Sequence, residues 1–170
     1  AQSGRQLRYP SRMVSITRQK KVTLMTAVQI RRATEADSQH VSDMAWALLS
    51  ELFPGLYNAE QLQASVDHIL SQSPDVSVFL AESAGEPMGL ITLNRCTAIY
   101  ALGDFGEISE LYVDANSRSL GVGNTLINTA VEFAISEGWT MLEVGAPDVP
   151  KWQRTVNFYI KNGFAEVGPR

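Results

Sequence analysis

Glu110-Leu111-Tyr112-Val113-Asp114, followed by Arg118-Ser119-Leu120-Gly121-Val122-Gly123, decides the reading of this chain. The first segment closes an apolar strand running from Gly106 to Val113, and the second opens a helix over 121–137. Val122, Leu126, Ala130, Phe133 and Ala134 share one face of that helix, and Gly138 stops it. A strand, a polar turn and glycines at a helix start make an anion site. Free amides point outward there, the helix dipole favours negative charge, and glycine lets a phosphate approach the backbone. The dipole contributes only about 0.3–2 kcal/mol, so a useful site needs several amides and a cation such as Arg118. Two other phosphate motifs fail. There is no G-x-x-x-x-G-K-[ST] run, and Leu126 stands where a dinucleotide fingerprint has its third glycine.

Outward from this stretch, the spacing predicts strands over 28–32, 76–82, 88–100, 141–146 and 164–167. It predicts helices over 37–52, where Val41, Met44, Ala45, Leu48, Leu49 and Leu52 recur at helical spacing, over 58–70 and over 152–162. Pro54-Gly55 stops the first, Asn58 with Gln61 opens the second, and Gly163 closes the last. The order β-α-α-β-β-β-α-β-α-β gives a mixed α/β layer. Residues 1–24 show no usable hydrophobic period and are expected to lie outside the fold, as a basic extension before a single domain over 25–170. Met25 looks like a natural start, and the Arg- and Ser-rich text before it superficially fits a transit peptide.

Composition narrows the function. The 45% hydrophobic and 19% charged content is that of an ordinary globular domain. No apolar run approaches the ~20 residues of a membrane span. One cysteine, Cys96, suits a reducing, cytoplasmic setting, and with only His40 and His68 beside it no soft-ligand metal site can be built. Residues 1–32 carry eight basic side chains and no acid, so the remaining 138 residues, with six basic and 18 acidic side chains, hold a net −12. Such an acidic body repels nucleic acid and favours cationic partners, amines among them.

The run Arg118-Ser119-Leu120-Gly121-Val122-Gly123 resembles the R/Q-x-x-G-x-G/A motif of the GNAT acetyltransferases, with Glu110 to Asp114 as the strand that leads into it. Asn157-Phe158-Tyr159-Ile160-Lys161-Asn162-Gly163-Phe164 is similar to the family's FY-x-x-x-GF segment, and the likeness extends from about Val28 to the C-terminus. The resemblance implies a mostly antiparallel central sheet flanked by helices and splayed after the Gly106 to Val113 strand. It implies acetyl-CoA as co-substrate. The pantetheine arm would lie along Leu111, Tyr112 and Val113, and the pyrophosphate on amides from Arg118, Ser119, Leu120, Gly121, Val122, Gly123 and Asn124. One departure is Trp152, which stands where many relatives have asparagine.

A primary amine has a pKa near 10.4, so freeing its lone pair at pH 7 costs about 4–5 kcal/mol. A carboxylate can take that proton, directly or through water, and attract the ammonium. Glu110 is the first choice and Glu107 the second. Their odd spacing puts them on opposite strand faces unless the strand carries a bulge. Tyr159 matches the family's general acid toward the departing thiolate. The acceptor wall implied by the family is residues 52–60, where Phe53, Leu56 and Tyr57 are apolar, with Tyr100 on the opposite lip. The leading expectation is acetylation of a small-molecule amine by direct attack in a ternary complex. Peptide or protein acetylation and a non-catalytic acyl-CoA-binding module are the alternatives, and a homodimer follows from the resemblance alone.

Overall fold

The computed structural model describes residues 5–10, 28–146 and 151–169. In chain order these form β1 (Arg5–Pro10), β2 (Gln29–Arg32), a 3-10 turn (Glu35–Asp37), α1 (Ser38–Leu52), α2 (Ala59–Gln72), β3 (Val76–Ser83), β4 (Glu86–Ala98) and β5 (Gly103–Val113). A second 3-10 turn (Ala115–Ser117), α3 (Val122–Ser136), β6 (Met141–Ala146), α4 (Gln153–Lys161) and β7 (Ala165–Pro169) follow. One seven-stranded sheet runs in the order β2-β3-β4-β5-β6-β1-β7. Every pairing is antiparallel except β5 with β6, so the mixed, mostly antiparallel α/β expectation holds.

Local chemistry sets the helix limits. Asn58 caps α2, its Oδ1 accepting from the amides of Glu60 at 2.9 Å and Gln61 at 3.2 Å. At the other end of the domain Arg31 of β2 donates to Asp37 at 2.7 and 2.8 Å and also pairs with Glu82 of β3. That network fixes the entry to α1, and Arg31 holds the Asp37 carboxyl well below the usual range.

The two sheet faces differ. Phe79, Ala81, Ile91, Leu93, Ile108, Leu142 and Val144 pack against α3 and α4 through Leu126, Ile127, Ala130, Val156 and Tyr159. The other face presents Val78, Leu80, Leu90 and Tyr112 to Val41 and Met44 of α1 and Val66 of α2.

Arg5–Pro10 corrects the expectation that residues 1–24 lie outside the fold. This segment pairs with β6 from Arg5↔Ala146 to Pro10↔Met141 and with β7 on its other side. Arg8 there donates through Nε (2.9 Å) and Nη2 (2.7 Å) to Glu143, whose side chain is wholly buried. A buried carboxylate requires a cation or hydrogen-bond donors, and the basic segment supplies one. Residues 11–24, and the start suggested at Met25, lie outside the described residues.

Candidate active site

The sheet opens beside β5. Its parallel pairing with β6 covers only Gly106↔Leu142, Glu107↔Glu143 and Ile108↔Val144, although β5 continues to Val113 and β6 to Ala146. On the other side β5 stays paired to β4 through Gly89↔Val113. The Asp114 amide donates to the Met88 carbonyl at 2.9 Å, which fixes the antiparallel alternation. Gly89/Val113 and Ile91/Leu111 are therefore non-hydrogen-bonded pairs. The N–H and C=O groups of Leu111 and Val113 point away from β4, into the opening.

At the end of this opening lies the glycine loop. Gly121 is the N-cap of α3 with φ +85°, a left-handed conformation that a side chain would strain. The first helical bond runs from the Thr125 amide to the Gly121 carbonyl at 3.1 Å. The amides of Val122, Gly123 and Asn124 precede it, so helix geometry leaves them unbonded and directed outward. A Cβ on Gly123 would lie 3.1 Å from the Phe158 ring, so this glycine sets how closely α3 approaches α4.

Arg118 has other partners than the loop. Its Nη2 pairs with Glu51 near the end of α1 at 2.8 Å, its Nε donates to the Val113 carbonyl at 3.1 Å, and its guanidinium lies over the Tyr112 ring. Arg154 of α4 reaches Ser119 instead, at 3.4 Å. Sequence reasoning missed Arg154. Only the packing of α4 beside the loop brings it there.

The two glutamates stand on one face. The β4–β5 register shifts between Thr92 and Leu93, so that Thr92 faces Glu110 and Leu93 faces Ile108, with Ser109 as the extra residue. That bulge cancels the odd spacing, and Glu107, opposite Asn94, joins Glu110 on the α1–α2 face. Asn94 Nδ2 donates to Ser109 Oγ, tying the bulge to β4. Glu110 is half-buried and accepts from the hydroxyl of buried Thr92. Burial pushes its carboxyl above the usual range, the Thr92 hydrogen bond opposes this, and the charge of Glu107 adds to it. Thr92 was missed in the sequence, because its role depends on the register.

Tyr159 sits on the opposite face. It is 5% exposed, and its ring meets Phe158 and Phe164 edge-on, each at 5.4 Å. Burial raises its phenol above the ordinary value near 10.

Of the four expected acceptor contacts, three lie on the α1–α2 connection and Tyr100 lies apart from them between β4 and β5. Phe53 and Tyr57 meet edge to face with centroids 6.1 Å apart on the α1–α2 connection, and Leu56 beside them is 69% exposed. Tyr100 lies at the tip of the β4–β5 hairpin. Its ring packs on Phe105 at 5.7 Å beneath the Arg8 guanidinium, and its hydroxyl is 3.4 Å from Glu143. It thus belongs with β1 and β6.

Comparison with known proteins agrees with this architecture. The chain is 33% identical over 92 residues to an uncharacterized N-acetyltransferase of Methanocaldococcus jannaschii, covering 52% of this chain but 38% of that protein. It is 29% identical over 145 residues to the aminoalkylphosphonate N-acetyltransferase of Salmonella typhimurium, covering 84% of this chain and 88% of that one. A crystal structure of an Arthrobacter sp. FB24 protein superposes with a TM-score of 0.71 at 25% identity, covering 88% of this chain and 96% of that one. Among the described residues no helix is long and apolar enough to cross a membrane. The family model for GNAT acetyltransferases matches residues 42–164, spanning both the glycine loop and the Phe158-Tyr159 segment, and the chain belongs to that family.

Proposed function

We propose that this protein is an N-acetyltransferase that moves an acetyl group from acetyl-CoA to the primary amine of a small molecule, by direct attack in a ternary complex. The observation that carries the reading is the opening beyond Ile108, where the backbone of Leu111 and Val113 faces a gap that ends at the glycine loop. Those groups suit the amide-rich pantetheine arm, and the amides of Val122, Gly123 and Asn124 suit a pyrophosphate. Arg154 is the cation best placed to join them, and Arg118 can do so on leaving Glu51.

Acetyl-CoA supplies an activated acyl group as a thioester. The rest of the chemistry falls to the protein. Glu110 attracts the ammonium from the α1–α2 face and takes its proton, directly or through a water, with Glu107 beside it. A carboxyl raised by burial is a stronger base than an ordinary glutamate. The freed lone pair forms the amide bond as the C–S bond breaks. The Val113 N–H, facing the gap, is placed to polarise the carbonyl oxygen. Tyr159, on the α4 side, hydrogen-bonds the departing sulfur. Because burial raises its phenol, this works as a bond that strengthens with developing charge and not as a completed proton transfer.

A small-molecule acceptor is favoured over a peptide because the relative matched over most of its length is one named for aminoalkylphosphonates. Initial rates with an amine library at varied acetyl-CoA test the reading. Intersecting double-reciprocal lines are expected, with large losses in Glu110→Gln and Tyr159→Phe. Parallel lines would contradict direct attack. Tight acetyl-CoA binding without turnover of any amine would leave a non-catalytic binding module.

A further inference from the structure

Glu110 does more than face the opening: it also lines a recess. A cavity of about 90 Å³ lies between α1, α2 and the sheet, walled by Ala45, Leu49, Leu62 and Val66 and floored by Leu90, Thr92 and Glu110. Its walls are mostly apolar, with Ser65 of α2 the polar exception. The carboxylate and the Thr92 hydroxyl sit at the end nearest the β5–β6 gap, since β5 loses its β6 partner beyond Ile108. Among the described residues no cation pairs with Glu110, so the recess has one negative group without a counter-ion at its β5 end and mostly hydrocarbon behind it.

We propose that this recess is the acceptor subsite and selects short, unbranched primary alkylamines, with the nitrogen at Glu110 and the hydrocarbon tail between α1 and α2. The inference rests on the acetyltransferase reading above and deepens it. Charge complementarity fixes the orientation. An ammonium at Glu110 restores neutrality, whereas a second charge at the far end would lie against Ala45, Leu49, Leu62 and Val66 with no charged group to pair it and only the Ser65 hydroxyl as a polar neighbour. That excludes polyamines and ω-amino acids as good acceptors, although the net acidity of the domain alone favours polycations. Size follows from volume. An apolar protein cavity of about 150 Å³ takes a six-carbon ring. By proportion about 90 Å³ takes roughly three or four carbons. Each methylene buried should raise kcat/KM roughly fourfold until the cavity is full.

The larger recess of about 290 Å³, lined by Arg32, Ile69, Gln72 and Pro74, does not compete for this role. It lies at the far end of α2 and contains none of the groups around the gap.

The experiment is a series of n-alkylamines from ethyl to octyl, beside putrescine and 2-aminoethylphosphonate, assayed with the wild type and with Ala45→Leu. Acetyl-CoA affinity is measured in parallel by calorimetry. Expected are a maximum in kcat/KM near propyl- or butylamine and at least tenfold discrimination against the two acceptors charged at both ends. In Ala45→Leu the optimum should shift to shorter chains with acetyl-CoA affinity unchanged. A flat series, or putrescine or the phosphonate matching butylamine, in an enzyme that binds acetyl-CoA would overturn the subsite and leave the acetyltransferase reading standing. Absence of acetyl-CoA binding would overturn both. The wild-type series decides the question even if the variant does not fold.

Discussion

The two faces of the sheet have divided the work between them. Under α3 and α4, Ile91, Leu93, Leu126, Ile127 and Ala130 are all but inaccessible and close-packed without a polar side chain among them. Under α1 and α2 the apolar patch is smaller, and beside it runs a polar row: Thr92, Glu110, Asn94, Glu107 and Glu143, with Arg8 closing it. Burying charge and leaving a cavity both cost stability. A protein tolerates these on one face only if the other supplies a sufficient core. The comparison therefore assigns most of the stability to the α3–α4 face and the proton-accepting and acceptor-binding chemistry to the α1–α2 face, with Tyr159 the one proposed catalytic group on the α3–α4 side, and substitutions can test that division.

The largest effect is expected at Glu110. Glu110→Gln should lower kcat/KM by about 10²- to 10⁴-fold, the usual contribution of a general base. Its melting temperature should stay the same or rise, because a desolvated charge has gone. A variant equally inactive but unfolded would mean that the residue is structural. Next comes the core: Leu126→Ala should cost about 2–5 kcal/mol in denaturant unfolding. Leu49→Ala, at the rim of an existing cavity, should cost less. Equal losses would erase the distinction between the faces.

The pH dependence sharpens the comparison further. The Glu110 carboxyl is raised, so the acid limb of kcat/KM should lie above the ordinary glutamate value of about 4.3. Removing the neighbouring charge in Glu107→Gln should move that limb down, and removing the hydroxyl in Thr92→Val should move it up. For stability the sign is opposite to that of a salt-bridged acid. A raised carboxyl means that the folded state holds the proton more tightly than the unfolded chain, so this group's contribution declines as pH rises from the ordinary carboxylate range through the folded value. Asp37, lowered by Arg31, does the reverse: its contribution is present above the ordinary value and is lost as pH falls. The smallest effect is expected in Glu51→Gln. A half-exposed pair is worth about 0–1 kcal/mol, so unfolding should hardly change while freeing Arg118 modestly tightens acetyl-CoA binding.

Much of the fold was legible in the sequence, and the exceptions have physical causes. Helices and strands with strong periodicity appear within a few residues of where the pattern puts them, because burial of one face dictates both pattern and structure. The opening beside β5 agrees with the motif that precedes the glycine loop. What local patterning could not give was the placement of Arg5–Pro10. This segment, with two arginines and a terminal proline, has no amphipathic signature of its own and is a strand because β6 and β7 flank it. The common face of Glu107 and Glu110 depended on one extra residue, Ser109, whose position no periodicity encodes. The motif makes Arg118 a candidate phosphate cation, but its pairing with Glu51, 67 residues away in the chain, is a contact that no local pattern encodes. Tyr100, expected on the lip opposite Phe53, Leu56 and Tyr57, meets Glu143 and Arg8, two partners that only hairpin geometry and the pairing of β1 with β6 bring to it.

The most direct test of the central claim is acetyl-CoA binding by calorimetry, with the wild type beside a Gly121→Glu, Gly123→Glu variant whose fold is checked by circular dichroism. The account predicts micromolar binding to the wild type and none to the variant, in which a side chain at 121 strains the left-handed N-cap and one at 123 meets the Phe158 ring, so that the loop no longer presents its amides. A folded wild type that does not bind acetyl-CoA would contradict it, and the glycine loop would then be an ordinary strand-to-helix connection.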